Sequence, residues 1–335
     1  MEQNERLSNL TSNELAYLWS AYEYETMAKC GLTSFLQHIN DERTEEILKE
    51  VVTISEARIE KIKQFFNMEK CPVPLGFTDD DINFNAPRLF SDTLYLEFML
   101  QLIQMELANY ALAFIGAIKP DLQQFYENAT KESMTVKTKV KQLAMDKGIY
   151  IPAPRIPTPK QVTFVTKDRF LAGWFGEKRP LLGMEIAHLV FNAKRNGVGQ
   201  AVITGFSQVA QSKEVRKFFE RGRDIAGKSV EVFSKLLNEY YLPTSTMIWT
   251  SEVTDSKEPP FSDKLMLQMI TSLIASGMSS YGKAMSVSPR RDLGVKYARL
   301  ITEIGQYADD GAEIMIKNEW MEQPPISADR KDLAK

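Results

Sequence analysis

Shifted by 171 residues, the first half of the chain falls on the second half without a gap. Glu14-Leu15-Ala16-Tyr17-Leu18 meets Glu185-Ile186-Ala187-His188-Leu189, and Thr33-Ser34-Phe35-Leu36-Gln37 meets Thr204-Gly205-Phe206-Ser207-Gln208. Phe90-Ser91-Asp92 meets Phe261-Ser262-Asp263, and Asp121-Leu122 meets Asp292-Leu293. Glu60/Glu231, Pro72/Pro243, Tyr110/Tyr281, Tyr126/Tyr297 and Glu132/Glu303 keep the same offset. Unrelated helices would drift out of phase over such a distance, so the offset points to a duplicated unit. In a chain of 335 residues each copy can bury its own core, unlike the short unit of a solenoid.

Within the first copy the apolar spacing predicts four helices. Ser12 or Asn13 would cap a helix running to about His38, with Leu15, Leu18, Trp19 and Tyr22 on one face. Asn40-Asp41 opens a second, striped by Leu48, Val52, Ser55, Ile59, Ile62 and Phe66. Cys71-Pro72-Val73-Pro74-Leu75-Gly76 and the Asp79-Asp80-Asp81 run mark a long loop. Ser91 caps a third helix, with Leu96, Leu100, Ile103, Leu107 and Tyr110 inward. Pro120 starts a fourth, with Phe125, Ala129, Val136, Val140 and Leu143 inward. A single long crossover between helices two and three is the ferritin-like form of the four-helix bundle. The second copy shows the same break from Leu242-Pro243 to Pro259-Pro260-Phe261. The expected fold is all-α: two tandem ferritin-like four-helix bundles over 8–150 and 181–322. A Pro-rich linker over 151–180 joins them, and a polar tail over 323–335, expected to fray, follows. The linker's Phe170, Leu171, Trp174 and Phe175 predict packing along the bundles. Gln161–Thr166 alternates as one short strand would.

Charge and composition narrow the function. With 41 basic and 44 acidic residues the net charge is −3, which draws the chain to neither nucleic acid nor an anionic membrane. Met1-Glu2-Gln3-Asn4-Glu5-Arg6 has no apolar signal region, and no stretch reads as about 20 apolar residues, so a cytoplasmic setting is expected. Two cysteines, Cys30 and Cys71, fit free thiols in a reducing compartment. Phosphate loops, dinucleotide fingerprints and nucleophile elbows are missing, and no cofactor is expected.

A bundle of this type raises the question of metal. Di-iron bundles take a Glu from two helices and Glu-x-x-His from the other two. The two histidines here are His38 and His188, at unmatched positions. The one Glu-x-x-His, Glu185 to His188, opens a helix, where a capping role competes with a metal role. The first copy has mid-helix carboxylates, Glu25, Glu60, Glu106 and Glu132, as candidate metal ligands; the second has Asn196, Glu231, Gly277 and Glu303 there. The competing reading pairs the shared glutamates with basic or tyrosine side chains. Ten glycines in the second copy's helical regions suit close helix approach or room for a ligand. Arg216, Lys217, Arg221 and Arg223 form a basic cluster that reads as a solvated helix face.

Four segments carry a resemblance: Glu14-Leu15-Ala16, Cys71-Pro72-Val73-Pro74, Phe90-Ser91-Asp92 and Pro180-Leu181-Leu182-Gly183-Met184-Glu185-Ile186-Ala187. Through them the chain, from about Leu10 to Pro325, resembles a family from Bacillus-type spore formers built of two tandem ferritin-like bundles, some assigned to the spore coat. The resemblance implies the fold and a sporulation or spore-coat setting, and no catalytic residues. The resulting expectation is a non-enzymatic structural or interaction protein with protein partners or self-association. Two alternatives stay open: an iron or manganese oxidase or store in copy one, and a carrier of a small apolar ligand in copy two.

Overall fold

The computed structural model describes residues 9–173, 178–244, 249–331, 333 and 334; Trp174 and Phe175 of the linker lie outside them. Among the described residues there are eight α-helices and no strand. They are α1 (Ser12–Leu36), α2 (Glu42–Met68), α3 (Asp92–Gly116) and α4 (Pro120–Asp146) in the first repeat. The second repeat contributes α5 (Gly183–Val209), α6 (Lys213–Asn238), α7 (Asp263–Ser286) and α8 (Arg291–Lys317). In both repeats the long connection falls between the second and third helices, as the loop lengths predict.

The chain divides into two compact units. One is Met1–Phe84, Met99–Leu143 and Glu319–Lys335; the other is Asn85–Phe98 and Ala144–Asn318. Each therefore takes in a segment from the other half of the sequence. In the first, the Glu322 carboxylate accepts the N–H groups of Leu75 and Gly76 at 2.8 and 2.7 Å. Gly76 has φ +65°, which an L side chain rarely adopts. Glu322 thus ties down a tail expected to fray, although most residues after Trp320 are exposed. In the second unit, Phe90 packs on Phe206 and over Gly205, where a Cβ would strike its ring. An isolated antiparallel bridge joins Phe90 to Val253, and Lys194 reaches the buried Glu97 at 2.8 Å.

The helix cores follow the predicted stripes. Leu18, Ile62, Phe66, Leu122 and Tyr126 are buried in the first unit; Leu189, Val202, Phe206, Phe219, Leu265 and Leu293 are buried in the second. α3 corrects the membrane expectation, since it is long and apolar enough to cross a bilayer by length and composition. Leu94, Leu96, Phe98, Met99 and Ile103 are buried, and the helix carries the paired Glu97 and Glu106, which suits a core helix. One linker expectation fails: Gln161–Thr166 forms no strand, and 151–167 is exposed nearly throughout, with Val162 and Phe164 at 86 and 87%. A lone segment with no partner strand leaves its N–H and C=O groups to water. Of the residues expected to pack, Phe170 and Leu171 are half-buried, and Arg179 stands over the Phe170 ring. Neither cysteine forms a disulfide; Cys30 is buried.

The first cap sits one residue earlier than predicted, at Thr11. Its hydroxyl accepts the Glu14 N–H, while the Glu14 carboxylate accepts the Thr11 N–H and hydroxyl. The same carboxylate accepts the N–H groups of Ile118 and Lys119, both at 2.8 Å, in the α3–α4 turn. Its counterpart Glu185 cannot repeat this, because Pro289 stands where Ile118 does and has no N–H. Glu185 instead caps α5 through the Leu182 N–H and takes a two-pronged bond from Arg179, all at 2.8 Å. Burial works to raise the Glu14 pKa, but the backbone donors outweigh it and hold the carboxyl below its ordinary value. Its stabilisation is full above the unfolded pKa and is lost as pH falls through the folded one. Glu14→Ala should lower the unfolding free energy by about 3 kcal/mol at neutral pH, because buried donors lose their acceptor. Urea titrations at neutral and acid pH should show the gap closing in acid; a gap that stays constant would contradict the role of the charge.

Candidate functional site

The candidate carboxylates of the first repeat do converge, but on an arginine. Arg58 on α2 is 5% exposed and touches all three other helices of its repeat. Its guanidinium donates to Glu25 of α1 at 3.1 Å and to Glu106 of α3. On α4 it donates to the Ala129 carbonyl at 2.9 Å, to Ser133 Oγ at 3.3 Å and to Glu132 at 3.1 and 3.2 Å. Tyr110 donates its hydroxyl to Glu25 at 2.6 Å, and its ring lies 5.1 Å from the Arg58 guanidinium carbon. Ser133 donates to Glu106.

Helical register explains who joins. Arg58 lies three residues after Ser55 and four before Ile62, on the stripe that faces the core. Glu60, two residues on, points to solvent and pairs with Lys63 at 2.8 Å. On α4 the inward position is Ser133, fully buried, whereas Glu132 reaches the arginine from the rim with its side chain 48% exposed. Three of the four candidates, Glu25, Glu106 and Glu132, are thus brought together and Glu60 is not.

One positive charge faces two fully buried carboxylates and a half-exposed third. Burial lowers the basicity of Arg58, but Glu25 and Glu106 outweigh it, and its pKa is raised. Glu106 is pushed up to about 7, by burial first and then by the Glu25 charge, against the pull of Arg58 and Ser133. The excess negative charge is relieved by a proton held on the cluster. These residues do not fit a di-metal centre: the guanidinium stands where the carboxylates meet, and no histidine joins them. Among the described residues no group of three His, Cys, Asp or Glu is placed to hold a metal ion.

The second repeat rebuilds the same place with other chemistry. At the constant offset Glu25 becomes Asn196, Arg58 becomes Ser229, Glu106 becomes Gly277 and Ser133 becomes Ile304. Tyr24 becomes Arg195. The Tyr24 hydroxyl donates to the Leu102 carbonyl at 2.5 Å, and Arg195 donates to the equivalent carbonyl, Leu273. Gly277 leaves the space that the guanidinium fills, since a Cβ there would collide with Arg195. Tyr281 donates to Asn196 at 3.0 Å. The basic cluster of α6 is solvated and locally paired, Arg221 with Asp310 and Arg223 with Asp224. His188 is half-buried, and no ion pair joins it to Glu185. Arg58 and Arg195 escaped the sequence reading, although each sits at core spacing on its helix.

A family model described as Protein of unknown function (DUF3231) matches the chain twice, over residues 2–162 and 169–333. The chain belongs to this family. The two matches coincide with the two repeats, so a single DUF3231 unit holds four of the eight helices. One similar solved structure is a protein from Bacillus halodurans C-125 provisionally assigned to the spore coat. The two are 18% identical with a TM-score of 0.41, over 46% of this chain and 99% of that one. No curated protein matches.

The Glu106 proton has a measurable consequence. Between its ordinary value of 4.5 and about 7 the folded chain holds a proton that the unfolded chain has released. Stability therefore falls as pH rises through that window, by at most about 1.4 kcal/mol per pH unit. Glu106→Gln should flatten this part of the profile. Urea titrations at about pH 5 and about pH 7.5 check it, and parallel profiles for the two proteins would contradict it.

Proposed function

We propose that this DUF3231 protein is a structural protein of the spore coat that performs no catalysis and works through protein partners or self-association. The observation that supports the reading is Arg58. In a bundle of this kind, converging interior carboxylates are the usual means of holding metal. Here their charge is already met by a cation from the chain, and a metal ion beside the guanidinium would be repelled at short range. The alternative of an iron or manganese oxidase or store loses both its charge and Glu60 to internal pairing. The coat setting rests on the sequence segments that carry the family resemblance, and the modest net charge of −3 favours protein partners over nucleic acid.

Elemental analysis of untagged protein, purified without chelators from cells fed iron and manganese, should find below about 0.1 metal per chain. One or two tightly held metals per chain would overturn the non-catalytic reading. A fluorescent fusion in sporulating cells should collect in the coat layer; fluorescence confined to the vegetative cytoplasm would overturn the setting.

A further inference from the structure

Arg195 is 8% exposed and has no carboxylate partner among the described residues. Among the described residues its one hydrogen bond is to the Leu273 carbonyl, and its Nε is buried without an acceptor. A guanidinium stays charged under ordinary conditions, so an uncompensated charge sits in an apolar interior, one of the costliest arrangements a core can contain. The contrast with the first repeat is internal: there the buried arginine has three carboxylates, and here the same positions carry Asn196, Gly277 and the half-buried Glu303, which makes no ion pair with Arg195.

The missing counter-charge has a space beside it. Arg195 lines a cavity of about 60 Å³ whose walls are otherwise largely aliphatic, among them Ile203, Ile270, Ile274 and Ile304. Gly199, with open space at its Cβ position, adds room. Ile225 and Tyr307 line both this cavity and an open groove that carries Arg221 and Lys228 together with Glu303, Asp309, Asp310 and Glu313. A cavity of about 150 Å³ takes a benzene ring and one water needs about 10–15 Å³, so the fit is to a few heavy atoms.

We infer that the second repeat binds a small monocarboxylate of about acetate size, with its carboxylate on the Arg195 guanidinium and its methyl end against the isoleucines. The charge selects a carboxylate over an alcohol, and the aliphatic wall selects a short alkyl acid over an inorganic anion. This site is independent of the proposed coat role.

Calorimetric titration of the full chain with sodium acetate, at ionic strength held with sodium chloride, tests it. One saturable site per chain is expected, with ethanol at least about tenfold weaker. Arg195→Tyr restores the first repeat's residue, keeps a donor for the Leu273 carbonyl and should abolish binding while circular dichroism stays helical. Gly277→Glu supplies the carboxylate from the chain itself, as Glu106 does in the first repeat. It displaces the guanidinium from the space beside Gly277 and should abolish binding, which keeps the test decisive if Arg195→Tyr does not fold. No saturable heat up to about 50 mM acetate would overturn the inference. So would equal binding of ethanol, or binding that survives both substitutions.

Discussion

Arg58 brings one positive charge into a helix-packed interior, where it meets carboxylates from three other helices. Each of these charges would be costly alone, since the desolvation of an isolated ion exceeds what packing returns. Together they specify a register. Glu25, Glu106 and Ser133 can be satisfied only if α1, α3 and α4 present those residues at the level where α2 presents Arg58. Sliding α1, α2 or α3 by one turn would leave a buried charge without a partner. Packing of Leu18, Ile62, Phe66 and Tyr126 supplies the apolar driving force, and the charge cluster selects one arrangement among those that packing alone would tolerate.

The second repeat shows how a duplicated fold can exchange its interior chemistry while keeping its backbone bonds. The arginine has moved from the second helix to the first, yet Arg195 finds the carbonyl that the tyrosine of the first repeat uses. Loss of the Glu106 side chain at Gly277 makes the room that the guanidinium occupies. Glu185 follows the same logic at the helix end: with Pro289 removing a backbone donor, Arg179 replaces it. In each case a side chain changes and a hydrogen-bond requirement of the backbone is still met.

The eight helices were legible because apolar spacing and cap residues act locally, and the repeat offset cross-checked one half against the other. Asp41, Ser91 and Pro120 start their helices where the sequence places them. The site was legible only in part. Glu25, Glu106 and Glu132 could be singled out as mid-helix acids, but Glu60 could not be separated from them without its rotation toward Lys63. Arg58 and Arg195 were passed over because a long cation on an apolar stripe reads equally as a side chain that snorkels to water. Whether it snorkels or stays inside depends on acceptors contributed by helices far away in the chain. The alternation through Val162 and Phe164 misled for a related reason: it marks a segment able to form a strand, not whether a partner strand is offered.

The central claim is that Arg58 and its carboxylates stand or fall as a unit. Its most direct test is the unfolding free energy of Arg58→Met, alone and together with Glu25→Gln and Glu106→Gln, by urea titration at neutral pH. Removing the arginine alone leaves buried carboxylates unpaired and should cost about 3–5 kcal/mol, while the triple variant, with no buried charge left at these three positions, should recover most of that loss. Losses that simply add across the three substitutions would contradict the account.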